Sequence, residues 1–148
     1  MRERSPIQSV AMLVGLVFLL VGILGFIPGI TSNYDDLKFA GHDSDAQLLG
    51  IFDTSVLHNI VHLLFGVAGL ALARTFAGAR SFLIGGGVIY LALFAYGAIW
   101  GHDEGGANWI PVNWGDNVLH VALGTGMILI GVVLGKEAIR RDTMAPAV

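Results

Sequence analysis

Residues 7–30 read IQSVAMLVGLVFLLVGILGFIPGI, 24 positions without a single Asp, Glu, Lys or Arg. A helix needs about 20 such residues to cross the hydrocarbon core of a bilayer, so this stretch reads as a membrane span. A cleaved signal peptide is the rival for an apolar run that follows Met1-Arg2-Glu3-Arg4. The run is too long for that role and ends in Gly25-Phe26-Ile27-Pro28-Gly29 without a small-x-small cleavage site. We expect it to stay as an anchor.

Three further segments, residues 54–73, 81–100 and 117–135, are equally free of Asp, Glu, Lys and Arg, and each is about the spanning length. Thr54 or Ser55, Ser81 and Asp116 stand where N-caps are wanted, and Pro111 offers an earlier start for the last helix. The fold expected is all-α: a single transmembrane domain over residues 1–148, four helices in a bundle, with loops at 31–53 and 101–116. The composition agrees. Of 148 residues, 55% are hydrophobic and only 13% charged, with mean hydropathy +0.73, whereas a soluble domain carries about a quarter charged residues. The lipid bilayer is therefore the first partner. With no cysteine, disulfides, iron–sulfur clusters and thiolate chemistry are excluded. A net charge of -3 implies no nucleic-acid partner.

Orientation follows from where the few charges fall. Arg2, Arg4, Arg74, Arg80, Lys136, Arg140 and Arg141 flank the helices on one side, leaving Lys38 alone on the other. The positive-inside rule then puts both termini in the cytoplasm of a bacterial, multi-pass inner-membrane protein. Asp35, Asp36, Asp43, Asp45, Asp53, Asp103, Glu104 and Asp116 lie at the opposite surface with an aromatic belt of Tyr96, Trp100, Trp109 and Trp114. Loop 31–53 reads as a solvated connection capped by a stub of helix, its apolar end against the interface.

Helices in lipid associate through close backbone approach at small residues. Gly15, Gly22 and Gly29 recur every seven positions, Gly131 and Gly135 form a small-xxx-small pair, and Gly85-Gly86-Gly87 is expected to weaken or bend the third helix. Such glycine faces also suit a homo-oligomer or a place in a larger membrane complex. Tyr90, mid-span, should find a hydroxyl partner on another helix.

Polarity inside the spans is concentrated. Ser55, His58, Asn59, His62, Gly66 and Gly69 share one sector of the second helix, and Asp116, Asn117, His120, Gly124 and Gly131 a similar sector of the fourth. Residues 58–66 align with 116–124 without a gap, so that Asn-x-x-His-x-x-x-Gly occurs twice. Both helices enter from the same side, and a parallel two-hairpin repeat is the reading that follows. All five histidines, including His42 and His102, belong to the outer half.

Several chemistries suit these residues, since polar groups below the headgroups usually face the bundle interior. In the first, the cluster is structural: Ser55, Asn59, Asn117 and Tyr90 hydrogen-bond with His62 and His120 and tie helices two and four together, in a protein that is not an enzyme. In the second, His58, His62 and His120, assisted by Asp116, hold a divalent zinc or copper ion. In the third, His62 and His120 are axial ligands of a b-type haem, with room left by Gly66 and Gly124. A proton relay is a fourth.

The blocks Leu49-Gly50-Ile51-Phe52-Asp53-Thr54-Ser55-Val56-Leu57-His58-Asn59-Ile60-Val61-His62 and Asn113-Trp114-Gly115-Asp116-Asn117-Val118-Leu119-His120 resemble a bacterial family of small four-helix integral membrane proteins of unknown function, frequent in actinobacteria. The resemblance implies the four-helix architecture and supplies no activity.

Overall fold

The computed structural model describes residues 4–41, 43–101 and 110–144, with side chains described as far as residue 136. His42, His102, Asp103, Glu104 and Trp109 lie outside the described residues, as does Arg2. Four α-helices dominate: α1 (Pro6–Leu24), α2 (Val56–Leu72), α3 (Phe76–Trp100) and α4 (Trp114–Met144). By length and composition, α1, α3 and the Trp114–Lys136 part of α4 can each cross a membrane, while α2, also apolar, is shorter at 17 residues.

The starts of α3 and α4 differ from those expected, for a local reason in each case, whereas α2 starts at the expected Ser55 cap. Thr75 rather than Ser81 caps α3, its hydroxyl accepting from the Gly78 N–H at 3.0 Å, so the helix begins on the other side of Arg80. Ser55 caps α2, accepting from the His58 N–H at 3.2 Å. Asn113 plays that part for α4: its Oδ1 accepts from the Asp116 N–H, and Asp116 Oδ2 accepts from the Asn113 N–H, both at 3.0 Å. That reciprocal pair is a capping box, and it places Asp116 inside the first turn rather than at the cap. At its other end α1 stops at Leu24, where the Thr31 hydroxyl donates to the carbonyls of Leu24 and Gly25. Pro28 and Gly29, the latter with φ of 90°, lie beyond the helix.

A small antiparallel sheet stands where a plain loop was expected, in strand order β1 (Thr31–Ser32), β2 (Gln47–Leu48), β3 (Phe52–Asp53). A single 3₁₀ turn, Tyr34–Asp36, precedes β2. The β2–β3 turn carries positive φ at Leu49 (56°) and Gly50 (68°).

The helices form two antiparallel hairpins, α1 with α2 and α3 with α4, each closely packed along its length. Between hairpins the contact is lighter. α1 and α3 meet near the bundle axis, and α2 and α4 stand on the longer diagonal. Phe18, Phe82, Leu83, Tyr90 and Met127 belong to the buried core, and Phe18, Phe65, Phe82 and Tyr90 form a chain of ring contacts through it.

Glycines set the hairpin distances. A Cβ on Gly15 would lie 3.0 Å from the Gly66 carbonyl, and one on Gly87 would lie 2.7 Å from the Gly124 carbonyl. Each is backbone against backbone, which no side chain can relieve. Gly22 meets Leu63 and the Asn59 carbonyl, whereas Gly29, the third member of the seven-residue series, has left the helix. Gly85-Gly86-Gly87 does not interrupt α3, which runs unbroken from Phe76 to Trp100. Gly86 and Gly87 are contact points for Phe65, Met127 and Ile128 instead, and Gly85 faces open space. At the far end Gln8 Nε2 donates to the carbonyls of Ala73 and Arg74, where α2 finishes. Arg80 lies alongside Gly135 at the same end.

Candidate functional site

The polar cluster lies at the end of the bundle that carries the sheet. Two segments far apart in sequence are joined there by one carboxylate. Asp116 Oδ2 accepts from the Asp53 N–H at 3.0 Å as well as from the Asn113 N–H. Asn113 Nδ2 donates to the Ile51 carbonyl at 2.7 Å and to Asp53 Oδ1 at 3.0 Å, and Gln47 Nε2 donates to the same Asp53 oxygen at 2.9 Å. The sheet is thus fastened to the start of α4 by three hydrogen bonds, with the Gln47–Asp53 bond and the Asp116–Asn113 pair bracing the two sides.

One turn further into the bundle are the asparagines. The Thr54 hydroxyl donates to Asn59 Oδ1 at 2.7 Å. The Asn59 amide is pressed against Gly25 at the C-terminal cap of α1, and the Asn117 amide against Gly97 of α3, so closely that a Cβ on either glycine would overlap it. Neither asparagine bonds to a histidine in the described residues, which corrects the expectation of Asn–His bonds across an α2–α4 interface. The reason is the packing: α2 and α4 occupy the long diagonal, so each asparagine meets the other helix of its own hairpin.

His62 is held from both sides. Its Nδ1 is 3.0 Å from the His58 carbonyl. A carbonyl can only accept, so Nδ1 carries the proton and Nε2 is left with a lone pair. The Tyr90 hydroxyl lies 3.5 Å from that Nε2, a long contact in which the hydroxyl donates. Tyr90 therefore finds its partner on α2. Its ring is also edge-on to His120 of α4, with centroids 5.3 Å apart, and 5.3 Å from Phe18 of α1. His58 stacks on His62 with centroids 4.6 Å apart. Tyr90 is thus the residue that links α2 to α4, from the helix between them.

The two hairpins repeat these contacts. In α2 and α4 the offset is 58 residues, pairing Ser55 with Asn113, His58 with Asp116, Asn59 with Asn117, His62 with His120 and Gly66 with Gly124. In α1 and α3 it is 72, pairing Gly15 with Gly87, Phe18 with Tyr90, Leu19 with Leu91 and Gly25 with Gly97. Contacts correspond as well as residues: Leu19 fills the space at Gly66 as Leu91 does at Gly124, and Phe18 meets His62 at 5.7 Å as Tyr90 meets His120. Gly25, Gly97, Phe18 and Asn113 were not singled out as site residues, although an α1–α3 comparison at 72 would have shown three of them.

Two cavities of about 120 and 100 Å³ adjoin the cluster, and both are lined by His58, His62, Tyr90 and His120. Among the described residues, Nδ1 of His58 and of His120 is buried without a partner, as are Asn59 Nδ2 and Asn117 Oδ1. Buried polar atoms of this kind usually have a water or a ligand.

For the metal reading the arrangement is unfavourable. Among the described residues no three His, Cys, Asp or Glu side chains are gathered where they could hold one ion. Both ring nitrogens of His62 face partners, and Asp116 Oδ2 is turned to backbone amides. A haem would need the space at Gly66 and Gly124, which Leu19 and Leu91 fill.

A model of one protein family, described as a domain of unknown function, DUF4383, matches residues 8–133. The chain belongs to the DUF4383 family. The match takes in all of α2 and α3, nearly all of α1, and α4 to within the last part of its span. No curated protein and no solved structure matches the chain.

Proposed function

We propose that this DUF4383 protein is a multi-pass protein of the bacterial cytoplasmic membrane, not an enzyme, in which the outer His/Asn/Asp cluster is structural. It fastens an extracytoplasmic sheet over the bundle and joins the two hairpins below it. The observation that carries the reading is Asp116, a buried carboxylate whose one oxygen serves two backbone donors from segments 63 and 3 residues away. The orientation is supported by Arg74 and Arg80 at the helix ends remote from the sheet, against Asp35, Asp36, Asp45 and Asp53 around it. Exposed Leu13, Leu16, Val17 and Leu20 give α1 the apolar outer stripe that lipid requires.

The test is thermal or denaturant unfolding in detergent, combined with exchange of the Asp53 amide. Asp116→Ala should speed exchange at Asp53 and lower stability together. Exchange unchanged in that variant would remove the clamp from the account.

One observation keeps a divalent ion as a second reading. The unpartnered Nδ1 atoms of His58 and His120 are the atoms that a zinc or copper ion would use, with His62 and Asp116 required to turn. Stoichiometric metal in the purified protein, lost in His120→Phe, would favour it over the clamp.

A further inference from the structure

Asp116, the asparagines and His62 are engaged in the contacts of the clamp, and beside them lies a cavity that those contacts do not fill. This cavity, about 120 Å³, lies between α2 and α3, helices of different hairpins that touch only lightly. Its lips are Val61 and Phe65 on one side and Ile89 and Leu93 on the other. Val61 is 47% and Ile89 51% exposed, so in a bilayer the gap faces acyl chains rather than water. At its inner wall are the His58, His62, Tyr90 and His120 rings. His120 is 3% exposed and its Nδ1 has no partner among the described residues.

Size, charge and hydrogen bonding narrow what could enter. At about 120 Å³ the cavity is smaller than the roughly 150 Å³ closed cavity that takes benzene, so it can seat one ring at most, and only because the cleft is open on its lipid side. Among the described residues no Lys or Arg lines it, which leaves a phosphate or carboxylate head without a counter-charge there in a medium where that is costly. The wall is aromatic and suits a flat ring in offset or edge contact. The orphan nitrogens of His58 and His120 are imidazole atoms that donate in one tautomer and accept in the other. Tyr90, its proton committed to His62, still offers a lone pair.

We propose that this cleft binds the ring of a neutral, membrane-borne quinone, whose carbonyl oxygen accepts a hydrogen bond from the His120 imidazole while its tail leaves between Val61 and Ile89 into lipid. The same wall would take the reduced ring, since an imidazole that presents its lone pair accepts from a quinol hydroxyl. The proposal concerns binding only, and it is independent of the Asp116 clamp, which lies above the cleft.

The experiment uses the full chain in phosphatidylcholine nanodiscs and a short-tailed decyl benzoquinone, measured by equilibrium binding against empty nanodiscs. Saturable binding at one quinone per chain is expected. Leu93→Trp, which fills the gap and leaves every histidine in place, should abolish it. His120→Phe, which keeps a ring and removes the nitrogens, should weaken it at least tenfold. Both variants are checked for unchanged helical circular dichroism, and if His120→Phe fails that check, Leu93→Trp decides alone.

Uptake no greater than in empty nanodiscs would overturn the proposal, as would binding indifferent to Leu93→Trp. Tighter binding of myristate at the same site would overturn the neutral head. Equal binding of toluene would overturn the role of the imidazole.

Discussion

The hairpins α1–α2 and α3–α4 place the same glycine contacts at corresponding positions and surround them with different chemistry. Gly15 on Gly66 matches Gly87 on Gly124, and Gly25 on Asn59 matches Gly97 on Asn117. In the first pair helix backbones approach too closely for any side chain, and in the second an asparagine amide fills the space that a side chain on the glycine would need. The differences fall on the polar sites. Where the first hairpin has Phe18 the second has Tyr90, and where the first has His58 the second has Asp116. One exchange adds the hydroxyl that reaches His62, and the other adds the carboxylate that takes the Asp53 and Asn113 amides. A framework that is nearly symmetric thus carries a site that is not.

Substituting the paired glycines should have the largest effect. Gly66→Leu and Gly124→Leu each force a side chain into Leu19 or Leu91 and the facing backbone. Each should cost about 3 kcal/mol or more, read as loss of the folded bundle in detergent unfolding. The equivalence predicts losses within a factor of two of each other, and a tolerated Gly124→Leu would break the comparison.

Removing the Asp116 carboxyl comes next. Asp116→Ala strands two backbone donors, one of them in the sheet, at about 1–3 kcal/mol for each that stays buried. Asp116→Asn keeps an acceptor oxygen in place and should lose less than about 1 kcal/mol. His58→Ala, at the equivalent position, should cost less than Asp116→Ala because among the described residues the His58 side chain supports no backbone donor.

Tyr90→Phe makes α3 like α1 at this position and removes one long hydrogen bond. The expected loss is about 0.5–1 kcal/mol. The smallest effect should come from Gly85→Ala: nothing lies within 4 Å of the added methyl, and alanine is the better helix former by about 1 kcal/mol. Unfolding midpoints should therefore rise slightly, in contrast to its neighbours Gly86 and Gly87.

The four helices were legible because runs without charge are long and unmistakable in this composition. His58, His62, His120 and Asp116 were legible as one end of the bundle because polarity is rare in the spans. The sheet was not, since two-residue strands are too short for an alternating pattern to show. It also hid the likeness of α1 to α3: the sheet lengthens only the first hairpin, so the two helix pairs match at offsets of 72 and 58 and a search at 58 alone misses Gly25, Phe18 and their partners. Asparagine at 59 and 117 signalled polar packing correctly, but which helix it packs on depends on the diagonal arrangement, and periodicity says nothing of that.

The central claim is that His62 is a structural residue, protonated on Nδ1 and held between the His58 carbonyl and the Tyr90 hydroxyl. Nitrogen-15 NMR of the histidine side chains in nanodiscs, with and without zinc, tests it directly. The account predicts one neutral His62 tautomer with the proton on Nδ1, unmoved by zinc and altered by Tyr90→Phe. A His62 protonated on Nε2, or a His62 signal shifted by stoichiometric zinc, would contradict it.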